Sequence, residues 1–166
     1  MKKSDVFLFE SQLKWTDGTK GIITSPTASV PIKVSTPKVF KAVQGGFWSP
    51  EDLLINAVSS CFMTTFFFYA KHKGLPVSSF DCEAIGQVEM NHGKLKFNAI
   101  NIYPKIAIEK QEWSDMAKEV LELAKQNCLV SNSLNVIIYY HPIIQVKPTI
   151  GEKKPEAVNK KWGDIY

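Results

Sequence analysis

The chain has 166 residues and a mass of 18.7 kDa, a length that predicts one domain able to bury its own core. Hydrophobic residues at 45% against 22% charged exclude a disordered or collagen-like chain. The net charge of +4 comes from lysine alone, because the sequence has no arginine, and the lysines are scattered rather than gathered into a stripe. That pattern gives no expectation of nucleic-acid binding, and it removes any bidentate guanidinium clamp for phosphate or carboxylate.

The first third reads as β. Val6 to Phe9 is a strand-like run, and Thr16-Asp17-Gly18-Thr19 carries the Asp-Gly signal of a tight hairpin. Ile22-Ile23 and Val30 to Val34 continue with short strand-like pieces, and Gly45-Gly46 breaks the chain before Trp48. A long helix is predicted from Ser49 to Gly74. Ser49 is a good N-cap, Pro50 suits the first helical position, Glu51 and Asp52 sit at the positive end of the dipole, and Gly74 with Pro76 ends it. Leu53 to Ala70 carries no charge. Such a run approaches the length of a membrane span, but Asn56, Ser59, Ser60, Thr64 and Thr65 dilute it, and no second span accompanies it. The expectation is a helix inside a small protein, apolar nearly all round, whose cover comes in part from a second subunit.

Two long strands follow. Phe80, Cys82 and Ala84 alternate, Gly86 suggests a bulge, Asn91 to Lys94 makes a turn, and Leu95 to Ile108 returns. A second helix is predicted from Ser114 to Asn127 with the stripe Trp113, Ala117, Val120, Leu121, Ala124, which Cys128 continues. A helical turn near Ser131 to Leu134 leads to one strand from Val136 to Val146. Residues 1–147 are expected to form the single domain, with a Lys/Pro-rich tail over 148–166.

Three cysteines, an odd number, argue against a disulfide scaffold. The apolar run after Asp5 is too short for a signal peptide, so a reducing, cytoplasmic setting is expected. His72, His92 and His141 show no ligand spacing, and no Gly-rich phosphate loop or nucleophile-elbow motif occurs, so neither a metal nor a nucleotide cofactor is expected. Taken alone, a cysteine in an apolar helix is more often a buried structural thiol than a reactive one. Phe62, Met63 and Phe66 to Phe68 around Cys61 read first as core, and Cys82 reads as core as well. Trp48, Trp113, Tyr139 and Tyr140 read as core or interface aromatics.

Two stretches alter that reading for two of the cysteines. Ser49-Pro50-Glu51-Asp52-Leu53-Leu54, followed by Ala57-Val58-Ser59-Ser60-Cys61-Phe62, and the later Asn127-Cys128-Leu129-Val130-Ser131, resemble the two signatures of the OsmC/Ohr family of thiol-dependent hydroperoxide reductases. The order of elements agrees over nearly the whole domain. One departure lies in the second signature, where Leu129 stands in place of the family's proline. The other is the family's N-terminal arginine, which has no counterpart here; Lys14 and Lys20 are the nearest cations.

The resemblance implies an α+β fold, with curved antiparallel sheets packed around two central helices in an intertwined homodimer. It implies a two-cysteine peroxidase acting in oxidative-stress defence, with Cys61 as peroxidatic nucleophile, Cys128 as resolving thiol and Glu51 as orienting acid. Its substrate would be a small organic hydroperoxide or hydrogen peroxide, and its electrons would come from an external dithiol with no bound cofactor. Glu51 also has a purely structural reading, as an acid in the first turn of a helix. Ten residues of straight helix would hold it about 15 Å from Cys61, so contact requires a break in the helix or an acid from a second subunit. A lysine in place of the arginine supplies charge without the planar fork. That departure keeps a second expectation open, a non-catalytic OsmC-like binding protein with a small apolar or thiol-reactive ligand at the dimer interface.

Overall fold

The computed structural model describes residues 6–40 and 45–147. The predicted tail over 148–166 lies outside the described residues. Val6 to Phe9, expected as a strand, forms no regular element and is exposed along its length. The hairpin follows as predicted: β1 (Gln12–Asp17) pairs antiparallel with β2 (Lys20–Thr24), turning at Gly18 with φ +51°. β3 (Ile32–Val34) completes a three-stranded sheet. This sheet joins the body of the protein through Val34 and Trp48, with Trp48 N–H donating to the Lys33 carbonyl and Ser35 N–H to that of Trp48.

The long helix α1 runs Pro50–Lys73, and its ends are set by local chemistry. Ser49 Oγ accepts from Asp52 N–H and Asp52 Oδ2 accepts from Ser49 N–H, both at 3.0 Å, a reciprocal capping box. Gly74 takes the left-handed conformation at φ +69° that closes the last turn, and Lys71, His72 and Lys73 sit at the negative end of the dipole. The hydroxyls that interrupt the apolar run bond back to the helix. Ser59 donates to Asn56 O, Ser60 to Ala57 O, and Thr64 and Thr65 both to Cys61 O.

β4 (Ser79–Asn91) and β5 (Lys94–Ile108) form a long antiparallel hairpin. His92 at φ +47° and Gly93 at φ +76° make a turn with two left-handed residues, which matches the twist of the strands. The ladder shifts register between Gln87 and Val88, just past Gly86. A Cβ at Gly86 would meet the Phe97 ring at 2.6 Å and Ile55 Cγ2 at 2.8 Å, so close packing of α1 on the hairpin requires glycine there.

α2 (Ser114–Asn127) has the predicted bounds, with Ala117, Val120, Leu121 and Ala124 buried. A five-residue helix, α3 (Leu129–Ser133), follows it directly. The expected single strand over Val136 to Val146 is instead two, β6 (Ile137–Tyr140) and β7 (Ile143–Val146). His141 N–H still donates to Ile102 O, but Pro142 has no N–H to continue the ladder. Both strands pair with β5, and both run parallel to it, which corrects the expectation of purely antiparallel sheets. The reason is the connection: a chain that leaves β5 and crosses through α2 and α3 returns in the direction it left.

The core lies between α1, α2 and the inner face of β5, with Phe62, Phe66, Ile100, Ile102, Ile106, Ile108 and Val120 fully buried. Truncating Phe62 or Phe66 to alanine costs about 3–5 kcal/mol on the usual scale for buried aromatics. α1 is long and apolar enough to cross a membrane by length and composition; here it is the core helix, packed on α2, α3 and β4.

Candidate active site

Cys61 and Cys128 are brought together. Cys61 projects from the middle of α1 and is half-buried. Cys128 stands between α2 and α3 in an extended conformation (φ −68°, ψ 107°), fully buried. The two thiols are free, and each is hydrogen-bonded to α3, which sets them as neighbours. Val130 N–H, in the first turn of α3, donates to Cys61 Sγ at 3.5 Å. Ser131 Oγ donates to Cys128 Sγ at 3.1 Å, and Tyr140 O–H donates to Ser131 Oγ at 3.0 Å. α3 thus carries a donor to each sulfur. Leu129, which stands where the resemblance has proline, is the first residue of α3, a position that accepts proline without requiring it.

Burial pushes the Cys128 thiol above its ordinary range, against hydrogen bonds from the Ser131 side chain and backbone that pull it down; the neighbouring Cys61 adds to the upward push. Burial likewise raises the Tyr140 hydroxyl, opposed by its bond to Ser131 and reinforced by the two sulfurs. The pair is therefore asymmetric. One thiol is half open, and the other lies behind it in an apolar surround. An arrangement of this kind suits attack by the first sulfur on an incoming electrophile and closure by the second.

Cys82 lies apart from this pair, half-buried on β4, with its thiol against the Glu83 carbonyl at 3.6 Å. Burial pushes it up to about 11, opposed by the Tyr103 backbone and helped by Glu83. That is the behaviour of a core cysteine.

Glu51 is elsewhere. α1 is unbroken from Pro50 to Lys73, so the rise of the helix separates Glu51 from Cys61 by about 15 Å within one chain. Glu51 is among the residues that line two cavities of about 390 and 530 Å³. The smaller is walled by Leu13, Trp15, Val34, Pro37 and Phe40 and is also lined by Lys20. Of the two lysines named from the sequence, Lys20 shares this cavity with Glu51. Its Nζ lies 3.6 Å from Asp17 Oδ2 and 5.9 Å from the centre of the Phe47 ring. Glu51 Oε2 is buried and has no hydrogen-bond partner among the described residues. A carboxylate oxygen shut away without a donor is costly.

Among the described residues no cluster of three or more His, Cys, Asp or Glu side chains is arranged to hold a metal ion.

Ser131 entered the sequence reading only as the serine of the second signature, with no role given to it, and Tyr140 only as a core or interface aromatic. Tyr140 had a readable signal. In β6 the even positions Ile138 and Tyr140 turn inward and the odd ones outward, and an inward tyrosine must give its hydroxyl a polar partner.

A hairpin of long strands against a central cysteine-bearing helix, with a second cysteine at the end of a crossover helix, defines an OsmC-type thiol fold. The family model for OsmC-like protein matches residues 43–139, and the chain belongs to that family. The fold is shared with an OsmC-like protein of unknown function from Vibrio cholerae O1 biovar eltor, at a TM-score of 0.76 and 19% identity over 83% of this chain and 100% of that one. An organic hydroperoxide resistance protein from Elizabethkingia anophelis superposes at a TM-score of 0.67, 18% identical over 89% of this chain and all of the other. The organic hydroperoxide resistance protein OhrB of Bacillus subtilis gives 0.61 and 18%, covering 84% of this chain and 98% of that one. At these identities the likeness is one of fold. No curated protein sequence matches the chain.

Proposed function

We propose that this protein is a thiol-dependent peroxidase that reduces hydroperoxides through Cys61 and Cys128. The observation that carries this reading is the pairing of a half-open thiol with a buried one, each sulfur receiving a donor from α3. In the first step the Cys61 thiolate attacks the outer peroxide oxygen. The O–O bond breaks, the alcohol leaves with a proton, and Cys61 becomes a sulfenic acid. Cys128 then closes a disulfide with loss of water, and an external dithiol restores both thiols. Phe68, exposed two turns beyond Cys61 on the same face of α1, gives that side of the helix an oily character that suits organic hydroperoxides.

Glu51 takes part as an orienting acid across a homodimer interface, where the Glu51 end of one α1 reaches the Cys61 of the partner and Lys20 supplies positive charge beside it. Two observations support the dimer. α1 buries only Val58, Ser59, Phe62, Phe66 and Ala70, leaving apolar faces open. The β1–β2–β3 sheet exposes Leu13, Trp15 and Ile32 and buries little beyond Gly21 and Val34, and a sheet needs a covered hydrophobic face to be stable. The setting proposed is the cytoplasm, with no bound cofactor.

A brief substoichiometric pulse of cumene hydroperoxide tests the reading. Loss of two thiols per reacted chain, with a Cys61–Cys128 crosslink in the peptide map, is the expected result. Slow, unselective oxidation of all three cysteines sinks the enzyme and favours a binding protein that uses the cavities beside Glu51.

A further inference from the structure

The sulfur of Cys128 ends a chain of hydroxyls. Tyr140 O–H donates to Ser131 Oγ at 3.0 Å, and Ser131 donates to Cys128 Sγ at 3.1 Å. The three groups come from separate pieces of the fold: the junction of α2 and α3, the body of α3, and the inner face of β6. Their direction follows from simple chemistry. A serine hydroxyl has one proton and two lone pairs. Tyr140 occupies a lone pair, so the single proton of Ser131 is left for the sulfur. A buried sulfur with a donor aimed at it carries negative charge far better than one without, since hydrogen bonds to charged groups are about twice as strong as neutral ones.

We propose that Ser131 serves the second step of the cycle, donating to the Cys128 sulfur as it becomes a thiolate, and that Tyr140 is a positioning residue that keeps Ser131 turned toward it. This rests on the two-thiol reading above and adds the groups that drive disulfide closure. In that step Cys128 gives up its proton and its sulfur attacks the sulfenic sulfur of Cys61. The S–S bond forms and the S–O bond breaks. The hydroxide leaves as water with the proton that Cys128 released. The Cys128 sulfur is oxidised, the sulfenic sulfur is reduced, and no further reagent is required. The titratable groups that face this sulfur are Cys61 from α1 and Tyr140 from β6, with Lys125 of α2 set 5.8 Å from the centre of the Tyr140 ring.

An aromatic disulfide isolates the closure step from peroxide chemistry. In a Cys82→Ala background, dithiobis(nitrobenzoate) releases one coloured thiolate when the first thiol attacks. A second is released when the other thiol expels the adduct and closes the disulfide. With Ser131→Ala the second release slows about tenfold or more, its pH profile moves upward and the first release is unchanged, as loss of a donor to an anion dictates. Tyr140→Phe slows it about threefold, the size of a neutral hydrogen bond, and Ser131→Thr restores most of the rate. A purely structural role lowers the thermal midpoint of these variants and leaves the closure rate and its pH profile alone. A second phase in Ser131→Ala within twofold of the parent at every pH overturns the proposal. The same variants with cumene hydroperoxide separate the two readings. A parent chain that closes its disulfide with the reagent yet consumes no hydroperoxide overturns the peroxidase reading, and the closure phase still decides the part played by Ser131.

Discussion

The backbone N–H of Val130 points at the sulfur of Cys61 from 3.5 Å, across 69 positions of sequence. This contact binds the middle of α1 to the first turn of α3, and it sets Cys61 beside Cys128, which immediately precedes that turn. Neither helix alone carries the site. The pair exists because α2 delivers Cys128, the residue just past its end, to the flank of α1, where Val120, Leu121 and Ala124 pack in the core.

The roles of the two thiols separate by substitution. Cys61→Ser is expected to abolish hydroperoxide consumption. Cys128→Ser is expected to allow one rapid event and leave a sulfenic acid on Cys61 that a dimedone-type reagent traps. Cys82→Ser leaves turnover largely intact. Sustained turnover in Cys61→Ser would show that the nucleophile has been misassigned.

Closure should depend on pH through Cys128. Because burial lifts this thiol above its ordinary 9.0, less of it is ionised at neutral pH than of a free cysteine. The rate of the second thionitrobenzoate release is therefore expected to go on climbing from pH 7 to beyond 9. A plateau reached below pH 8 contradicts a raised Cys128.

Cys82 gives a linked effect on stability. Its thiol is held up to about 11 in the folded chain against 9.0 for an ordinary thiol. Between these values the unfolded chain has lost the proton and the folded chain retains it. The stabilisation is thus complete below pH 9 and is lost as pH rises toward 11. Urea midpoints should fall over that window, and less steeply in Cys82→Ala. Alkylation at pH 8 should spare Cys82 while labelling Cys61.

Gly86→Ala tests the packing of α1 on the hairpin. The added Cβ meets a ring edge and a branched methyl at under 3 Å, neither of which swings away freely. A loss of about 1–3 kcal/mol is expected, the usual cost of overpacking, measured by chemical denaturation. An unchanged midpoint would mean that Phe97 and Ile55 yield without cost.

Assembly is tested by sedimentation. A dimer at micromolar concentration, with an apolar interface of the obligate class, is the expected result. Lys20→Met should then slow hydroperoxide consumption several-fold while leaving the sedimentation profile unchanged. A stable, well-folded monomer removes the partner subunit's Glu51 from the site.

Much of the architecture was legible in local chemistry. The ends of α1 follow from Ser49, Asp52 and Gly74, because a cap satisfies groups only a few residues away. The turn at Asn91 to Lys94 and the buried stripe of α2 are local in the same sense. The spacing of Glu51 from Cys61 was also readable, since an uninterrupted helix fixes the distance. Val6 to Phe9 failed for the complementary reason: β-propensity makes no strand without a neighbour to pair with.

Three features needed the tertiary structure. The parallel return of β6 and β7 depends on the crossover through α2 and α3, a matter of connection rather than composition. Lys20 lines a cavity with Glu51 because the first sheet is joined to the residues before α1 through Val34 and Trp48. The resemblance singled out Cys61 and Cys128, but the Tyr140–Ser131–Cys128 chain was invisible, because Ser131 and Tyr140 belong to different elements and their hydrogen bond forms only when β6 closes over α3. Capping and periodicity act within about four residues, so a sequence carries them openly. A sulfur's donors are chosen by whichever elements the burial of apolar faces happens to press together, and only the folded chain decides that.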